Sequence, residues 1–260
     1  MRLLISALIL CLSLTQTVLA EPYNFSKKDL AIVIDDLGNN MEGTEDLLHL
    51  PINLTVAIMP FMSTTKKDAE LAHHNGHQVI VHLPMEPKRG KKSWLGPGAI
   101  TTDLSDEEIR KRVIAAIEDV PHAVGMNNHM GSKVSEDERV MRIIFEICKE
   151  KGMFYLDSKT SSKSVAKTLA EEMKVPFLEN DLFFDDVYTI THISRQANLL
   201  ANKLTELDEI IAIGHVGIPG PIVASVLEQY IPVYQDKANL VYLSDLIPEM
   251  KLIEKDYEVK

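Results

Sequence analysis

Short apolar runs alternate with amphipathic stretches along most of the chain. The apolar runs are rich in β-branched residues, which is typical of buried strands. The predicted strands are Leu30–Ile34, Leu54–Met59, Gln78–His82, Ala123–Met126, Met153–Leu156, Pro176–Leu178, Ile210–Ile213 and Leu240–Leu243. The predicted helices between them are Thr64–Asn75, Ser105–Asp119, Glu136–Lys151, Ser162–Lys174, Ile190–Thr205 and Pro221–Tyr230. Repeated strand–helix units predict an α/β fold, a parallel (β/α) barrel of seven or eight strands that is closed or nearly closed.

The first twenty residues follow a different pattern. A basic start at Met1-Arg2 precedes an apolar core from Leu3 to Leu14 and a small-residue cleavage pattern at Val18–Ala20. This order is typical of a secretory signal peptide, and the apolar core is too short for a stable membrane span. We therefore expect a signal peptide over residues 1–20 and a barrel domain over 21–260, exported to the periplasm or secreted. Retention as an uncleaved anchor is the alternative, and no later stretch predicts stable membrane insertion.

Charge and cysteine content narrow the function classes. The formal net charge is -11, and cleavage would remove Arg2 and no acid, which gives -12. An acidic chain of this kind is a poor candidate for binding nucleic acid or an anionic membrane surface. Cys148 is the only cysteine outside the predicted signal peptide, so no disulfide framework is expected and the domain must be held together by its core.

Candidate chemistry follows the ends of the predicted strands. Residues suited to metal binding or proton transfer stand at these ends: Asp35, Asp36, His82, Asn127, His129, Asp157 and His215. The carboxyl ends of the strands of a parallel barrel open onto one face, where active sites are built. Two buried adjacent carboxylates are unfavourable unless a metal or a proton-transfer role stabilises them. The alternative for Asp35 and Asp36 is a solvated turn between strand and loop.

The residue types indicate a metal site. Three ligands for a catalytic zinc would come from His82, Glu86 and one acid of the Asp35-Asp36 pair, with the other acid as general base. Pro84 argues against a helix between His82 and Glu86, so a loop would have to turn back over the barrel mouth. The alternative for His82 is a buried, hydrogen-bonded core histidine.

Five segments together resemble the divergent polysaccharide deacetylases, relatives of the NodB-type carbohydrate esterases. They are Ala31–Asp36, Val81–Pro87, Met126–Ser132, Phe154–Ser158 and Ile213–His215. The resemblance extends from about Leu30 to Leu243. It implies a barrel with a metal site that holds zinc or another divalent metal, and a glycan substrate.

The resemblance also implies roles for individual residues. Asp35 falls on the position of the base, Asp36, His82 and Glu86 on those of the metal ligands, and His215 on that of the general acid. Glu86 stands where NodB-type enzymes have a second histidine. Their arginine-containing motif has no counterpart here, since the segment from Asn127 to His129 occupies that region. In a hydrolase, Asn127 would be a candidate donor to the oxyanion. Asp157 would orient His215 or His129, or else cap a helix.

We therefore expect a metal-dependent hydrolase that acts on an acetylated amino-sugar polysaccharide or envelope glycan. One alternative is a non-catalytic exported protein that keeps the barrel to bind a glycan or a partner protein. Another is a metal-dependent amidase or phosphoesterase. Trp94 is expected either to stack on a sugar ring or to anchor its loop, and Phe183–Asp186 is expected to be a loop with buried aromatics and solvated acids.

Overall fold

The computed structural model describes residues 27–91, 94–248 and 250. The predicted signal peptide over residues 1–20 lies outside the described residues. None of the helices within these ranges combines the length and the apolar character that a membrane span requires.

A parallel sheet forms the centre of the fold. Its strands are β1 Lys28–Leu37, β2 Thr55–Ile58, β3 Gln78–Met85, β4 Ala123–Met130, β5 Phe154–Asp157, β6 Phe177–Glu179, β7 Leu182–Phe183, β8 Glu209–His215 and β9 Ala238–Val241. They pair in the order β6-β5-β4-β3-β2-β1-β8-β7, with β9 beside the start of β1, and these pairings are parallel. The predicted parallel α/β barrel is confirmed.

Two hydrogen bonds link the strands on either side of the opening between β6 and β7. The amide of Asn180 donates to the carbonyl of Asp157 at the end of β5, at 3.0 Å. The amide of the next residue, Asp181, donates to the carbonyl of Ile211 in β8, also at 3.0 Å. The chain therefore crosses from one edge of the sheet to the other in one step, and the barrel is nearly closed.

Helices cover the outside of the sheet. They are α1 Thr44–Leu48, α2 Thr65–His74, α3 Asp106–Asp119, α4 Glu138–Lys151, α5 Ala166–Met173, α6 Ile190–Lys203 and α7 Gly220–Lys237. Local sequence sets their ends: the side chains of Ser105 and Asp137 accept hydrogen bonds from the amides of Glu108 and Val140, and Gly152 ends α4 in the left-handed region at φ 66°.

Alternation along the strands separates an outer core from an inner one. In β1, Leu30, Ile32 and Ile34 belong to the large cluster that packs with the helices, whereas Ala31 and Val33 belong to a smaller cluster inside the barrel. Because side chains alternate along a strand, the residue two positions after an inner one also points inward. This rule places Asp35 inside the barrel, above Val33.

Several strands are longer than the sequence predicts, and the extensions of β3 and β4 affect the site most. β3 was expected to end at His82 and runs to Met85, and β4 was expected to end at Met126 and runs to Met130. Their added residues pair in register, with His82 opposite Asn127 and Pro84 opposite His129. The residues that directly follow the predicted ends of β3 and β4 are therefore strand and not loop. The alternation of side chains along these strands then determines which residues point into the site.

Candidate functional site

A cavity of about 350 Å³ opens at the carboxyl ends of the strands. Asp35, Asp36, His82, His129 and His215 line it, which brings together most of the residues that the sequence predicts. Asp35, His82 and His215 reach the cavity by strand alternation. Each lies two positions after a residue of the inner core, namely Val33, Ile80 and Ile213 respectively.

Asp36 reaches the cavity by a different route. Alternation alone would point its side chain outward, because it follows Ile34 of the outer core by two positions. Its backbone is left-handed at φ 69°, and the pairing of β1 with β2 is irregular between Ile34 and Leu37. This local break in the strand allows two adjacent carboxylates to serve one site. A left-handed conformation is unfavourable for a residue other than glycine, and such conformations cluster at functional sites.

Asp36, His82 and His129 form a group that could hold a metal ion. The Oδ1 atom of Asp36 lies 3.0 Å from Nε2 of His82 and 2.9 Å from Nδ1 of His129. The two ring nitrogens are 3.2 Å apart. One carboxylate oxygen and two imidazole nitrogens are the donor set of a catalytic zinc site.

Neighbouring hydrogen bonds turn the lone pairs of both imidazoles toward one point. The Asn127 amide donates to Oδ1 of Asp35 at 2.9 Å, so its own oxygen accepts from Nδ1 of His82 at 2.7 Å. Nε2 of His129 lies 3.2 Å from the carbonyl oxygen of Trp94, which can only accept. In its neutral form, each ring therefore carries its proton on the nitrogen away from Asp36. Hydrogen bonds of this kind orient the histidine ligands of protein metal sites.

The converging atoms favour a cation. Oδ1 of Asp36 is buried and faces the two ring nitrogens. Burial opposes ionisation of Asp36, but hydrogen bonds from His129 and His82, formed when the ring nitrogen that faces it is protonated, outweigh burial and hold its pKa well below its usual range. Burial also opposes protonation of His82, yet Asp35 and Asp36 raise its pKa. The site thus favours added positive charge, which a proton on an imidazole or a divalent metal can supply, and the residues fit the metal.

Glu86 does not reach this group, and the predicted ligand set is corrected. Its carboxylate accepts hydrogen bonds from the amide and hydroxyl of Thr102, each at 3.0 Å, and from Nζ of Lys133 at 2.9 Å. Because β3 continues to Met85, three residues of strand stand between His82 and Glu86, and the four steps along the chain set them about 13 Å apart. Glu86 therefore links the loop after β3 to the loop after β4, and His129 stands in its place in the group that could hold a metal ion.

Asp35 is buried beside Asp36, His82 and His129, which are called the ligand group below because they could hold a metal ion. Its Oδ2 atom lies 3.8 Å from Nε2 of His82, and its Oδ1 atom accepts the hydrogen bond from Asn127. Burial raises the pKa of Asp35, and the nearby His82 and His215 only partly oppose this. A carboxylate with a raised pKa is a better proton acceptor than an exposed one.

His215 is held by Asp185. Nδ1 of His215 lies 2.8 Å from Oδ1 of Asp185, and its backbone amide donates to Oδ2 at 2.8 Å. Burial lowers the pKa of His215, but this carboxylate outweighs it and raises the pKa to about 9. The imidazole is therefore protonated at neutral pH and can donate a proton. The ring of Phe183 stacks against it with centroids 5.9 Å apart.

Asp157 does not contact His215 or His129. Its side chain accepts a hydrogen bond from the amide of Lys159 at 2.7 Å, which closes a turn after β5. The preceding residue, Leu156, belongs to the inner core, so alternation directs Asp157 away from the cavity. It is not a helix cap either, since α5 begins at Ala166.

Two residues of the site were missed or misjudged from the sequence. His129 was placed among the strand-end residues suited to metal binding or proton transfer but was not assigned as a ligand, and Asp185 was expected to be a solvated acid, whereas its side chain is fully buried. Register explains the position of Asp185: Phe183 pairs with Ile213, which sets Asp185 beside His215 two residues later. β7 has only two residues, too few to give an alternation signal.

Comparisons with known proteins identify a family and two relatives. A family model described as divergent polysaccharide deacetylase matches residues 32–247. An uncharacterized protein of Haemophilus influenzae is 30% identical over 253 residues, which cover 97% of this chain and 89% of that protein. The uncharacterized protein YibQ of Escherichia coli is 32% identical over 220 residues, which cover 85% of this chain and 67% of that protein.

A solved structure shares the fold. It is that of an uncharacterized protein of Agrobacterium tumefaciens, with a TM-score of 0.79 at 17% identity, and the match covers 87% of this chain and 92% of that one. The range matched by the family model includes the ligand group, Asp35 and the His215–Asp185 pair. With a match of this extent, the chain belongs to the divergent polysaccharide deacetylase family.

Proposed function

We propose that this protein is a metal-dependent hydrolase that removes acetyl groups from N-acetylated amino sugars of a glycan. The convergence of Asp36, His82 and His129 on one point, between a buried carboxylate and a protonated imidazole, carries the proposal. Membership in the divergent polysaccharide deacetylase family supports a glycan substrate.

Asp36, His82 and His129 would hold the metal ion. Their donor atoms, two imidazole nitrogens and one carboxylate oxygen, favour zinc over calcium or magnesium, which prefer oxygen ligands alone. When bound, such an ion polarises the acetyl carbonyl and lowers the pKa of water nearby. Asn127 positions this group, because its side-chain amide is hydrogen-bonded to both Asp35 and His82. We therefore assign it this positioning role and not the role of oxyanion donor that the sequence suggested.

Proton transfer is assigned to Asp35 and His215. The two residues lie opposite each other in the pairing of β1 with β8, at the same level of the barrel. Asp35 accepts the proton of the attacking water, and His215 donates a proton to the nitrogen that leaves as the amine. Asp185 positions His215 and stabilises its charged form, since it contacts both the ring and the backbone amide.

The site of action follows from the sequence. The expected signal peptide over residues 1–20 predicts export, so the glycan would be one outside the cytoplasm, in the cell envelope or beyond it. This localisation rests on the sequence pattern alone.

Acetate release tests the proposal. The zinc-loaded protein is expected to release acetate from an N-acetylglucosamine hexamer, and removal of the metal with a chelator followed by zinc readdition should abolish and restore that release. The fully deacetylated hexamer serves as the control substrate. A folded, zinc-loaded protein that releases no acetate from N-acetylated glycans would favour the alternative, a binding protein built on the same barrel.

A further inference from the structure

We propose that the glycan carries carboxylate groups and that Arg89 selects it, an inference that rests on the proposed function. The first observation is a concentration of positive charge in the sequence. Lys88, Arg89, Lys91 and Lys92 fall within five positions of a chain whose formal net charge is -11. The segment starts three residues after β3 ends, and one of its described residues, Arg89, lines the cavity.

The side chains of this segment have different partners. Nζ of Lys88 lies 2.6 Å from the carboxylate of Glu136, and Nζ of Lys91 lies 5.5 Å from the centre of the Trp94 ring. Arg89 lines the cavity together with the ligand group. It forms no ion pair with any residue in the part of the chain that the structure describes. Among Lys88, Arg89 and Lys91, the residues of this segment that the structure describes, the guanidinium of Arg89 is therefore the group that is available to a ligand in the cavity.

Charge balance in the cavity favours an anion. Asp35 and Asp36 together carry the two negative charges that a divalent metal would offset, and Asp185 offsets the charge of His215. Arg89 then remains as the uncompensated charge among the described residues that line the cavity. A cleft with excess charge of one sign concentrates ligands of the other.

The chemistry of arginine indicates a carboxylate. The planar guanidinium donates two parallel hydrogen bonds to a carboxylate, a geometry that lysine cannot reproduce. A neutral chain of N-acetylated sugars offers no group of this kind. A glycan in which some sugars bear a carboxylate, either at C6 or on a lactyl ether, would place an anion at the mouth while an acetamide of the same chain enters the cavity.

Fluorescence of Trp94, the one tryptophan of the chain, gives a binding readout that is independent of turnover. Three probes are titrated into the zinc-loaded protein: a neutral N-acetylglucosamine hexamer, its counterpart oxidised to carboxylates at C6, and an oligomer in which alternate sugars carry a lactyl carboxylate. At least one carboxylated probe is expected to bind about tenfold more tightly than the neutral one at low salt. The preference should shrink at high salt.

Substitutions assign the preference to one residue. Arg89→Gln is expected to remove it, so that the carboxylated and neutral probes bind this variant equally, whereas Arg110→Gln, on the outer face of the barrel in α3, should keep it. Equal affinity of the wild type for all three probes, or an undiminished preference in Arg89→Gln, would overturn the inference. If the neutral hexamer is still deacetylated in that case, the proposed function stands. If a carboxylated probe binds through Arg89 but no probe releases acetate, the proposed function fails and the selectivity remains.

Discussion

Replacing Asp35 with asparagine is expected to lower the turnover of acetylated glycans by a factor of about 10²–10⁴, the range in which general-base catalysis usually contributes. An asparagine cannot accept the proton of the attacking water. It can still accept the hydrogen bond that Asn127 donates at 2.9 Å, so the local structure should persist. The measurement is kcat for acetate release at saturating substrate, together with zinc content and thermal unfolding of both proteins.

Zinc content and folding separate the roles of the two adjacent acids. Asp35 lies outside the ligand group, so Asp35→Asn should retain its zinc, whereas Asp36→Asn should lose most of it. A variant Asp35→Asn that keeps more than a tenth of the wild-type kcat would exclude Asp35 as the base. Loss of zinc in Asp35→Asn would instead make it a ligand.

Replacing Asp185 with asparagine is expected to move the alkaline limit of activity to lower pH. His215 must be protonated to act as the acid, so activity is lost as the pH rises through its pKa, which stands at about 9 against an ordinary 6.5. Bound metal offsets the nearby Asp35 and Asp36, which also raise this pKa, and the limit for the loaded enzyme should fall between these values. Without the Asp185 carboxylate, burial would dominate and the pKa would fall further.

The pH profile of kcat checks this prediction, with Asp157→Asn as the matched variant. Both substitutions neutralise a buried carboxylate near the carboxyl end of a strand, but Asp157 contacts the amide of Lys159 and not His215. We expect a large loss of activity at pH 8 in Asp185→Asn and a profile like that of the wild type in Asp157→Asn. The opposite pattern would restore the role that the sequence suggested for Asp157.

On the acid side, the profile should report Asp35. The base must be ionised, so activity rises with pH through the pKa of Asp35, which burial raises and a bound divalent metal lowers. An acid limit that is unchanged in the residual activity of Asp35→Asn would contradict this assignment.

The sequence predicts the barrel well because its strands are buried on both faces and read as apolar runs separated by helices. Asp35, His82 and His215 could be assigned to the site for a related reason: each follows an apolar strand, and the carboxyl ends of parallel strands share one face. Asp36 was also predicted, although the left-handed backbone that turns it inward has no signal in the sequence.

The errors come from strand ends and from contacts between distant segments. Glu86 was favoured because β3 was expected to stop at His82, and a loop starting there would have brought Glu86 back to the metal. His129 was missed as a ligand for the same reason at β4, since a strand that continues to Met130 gives Asn127 and His129 the same face. Asp185 could not be found at all, because its burial depends on the pairing of a two-residue strand with β8.

The central claim is that Asp36, His82 and His129 bind one metal ion, and elemental analysis of the purified protein tests it most directly. His129→Ala and Glu86→Ala are the decisive pair, since one removes the ligand that the structure supports and the other removes the ligand that the sequence favoured. The prediction is close to one zinc per chain in the wild type and in Glu86→Ala, and loss of zinc in His129→Ala and His82→Ala. Zinc kept by His129→Ala and lost by Glu86→Ala, or a folded wild-type protein that refuses added zinc, would contradict it.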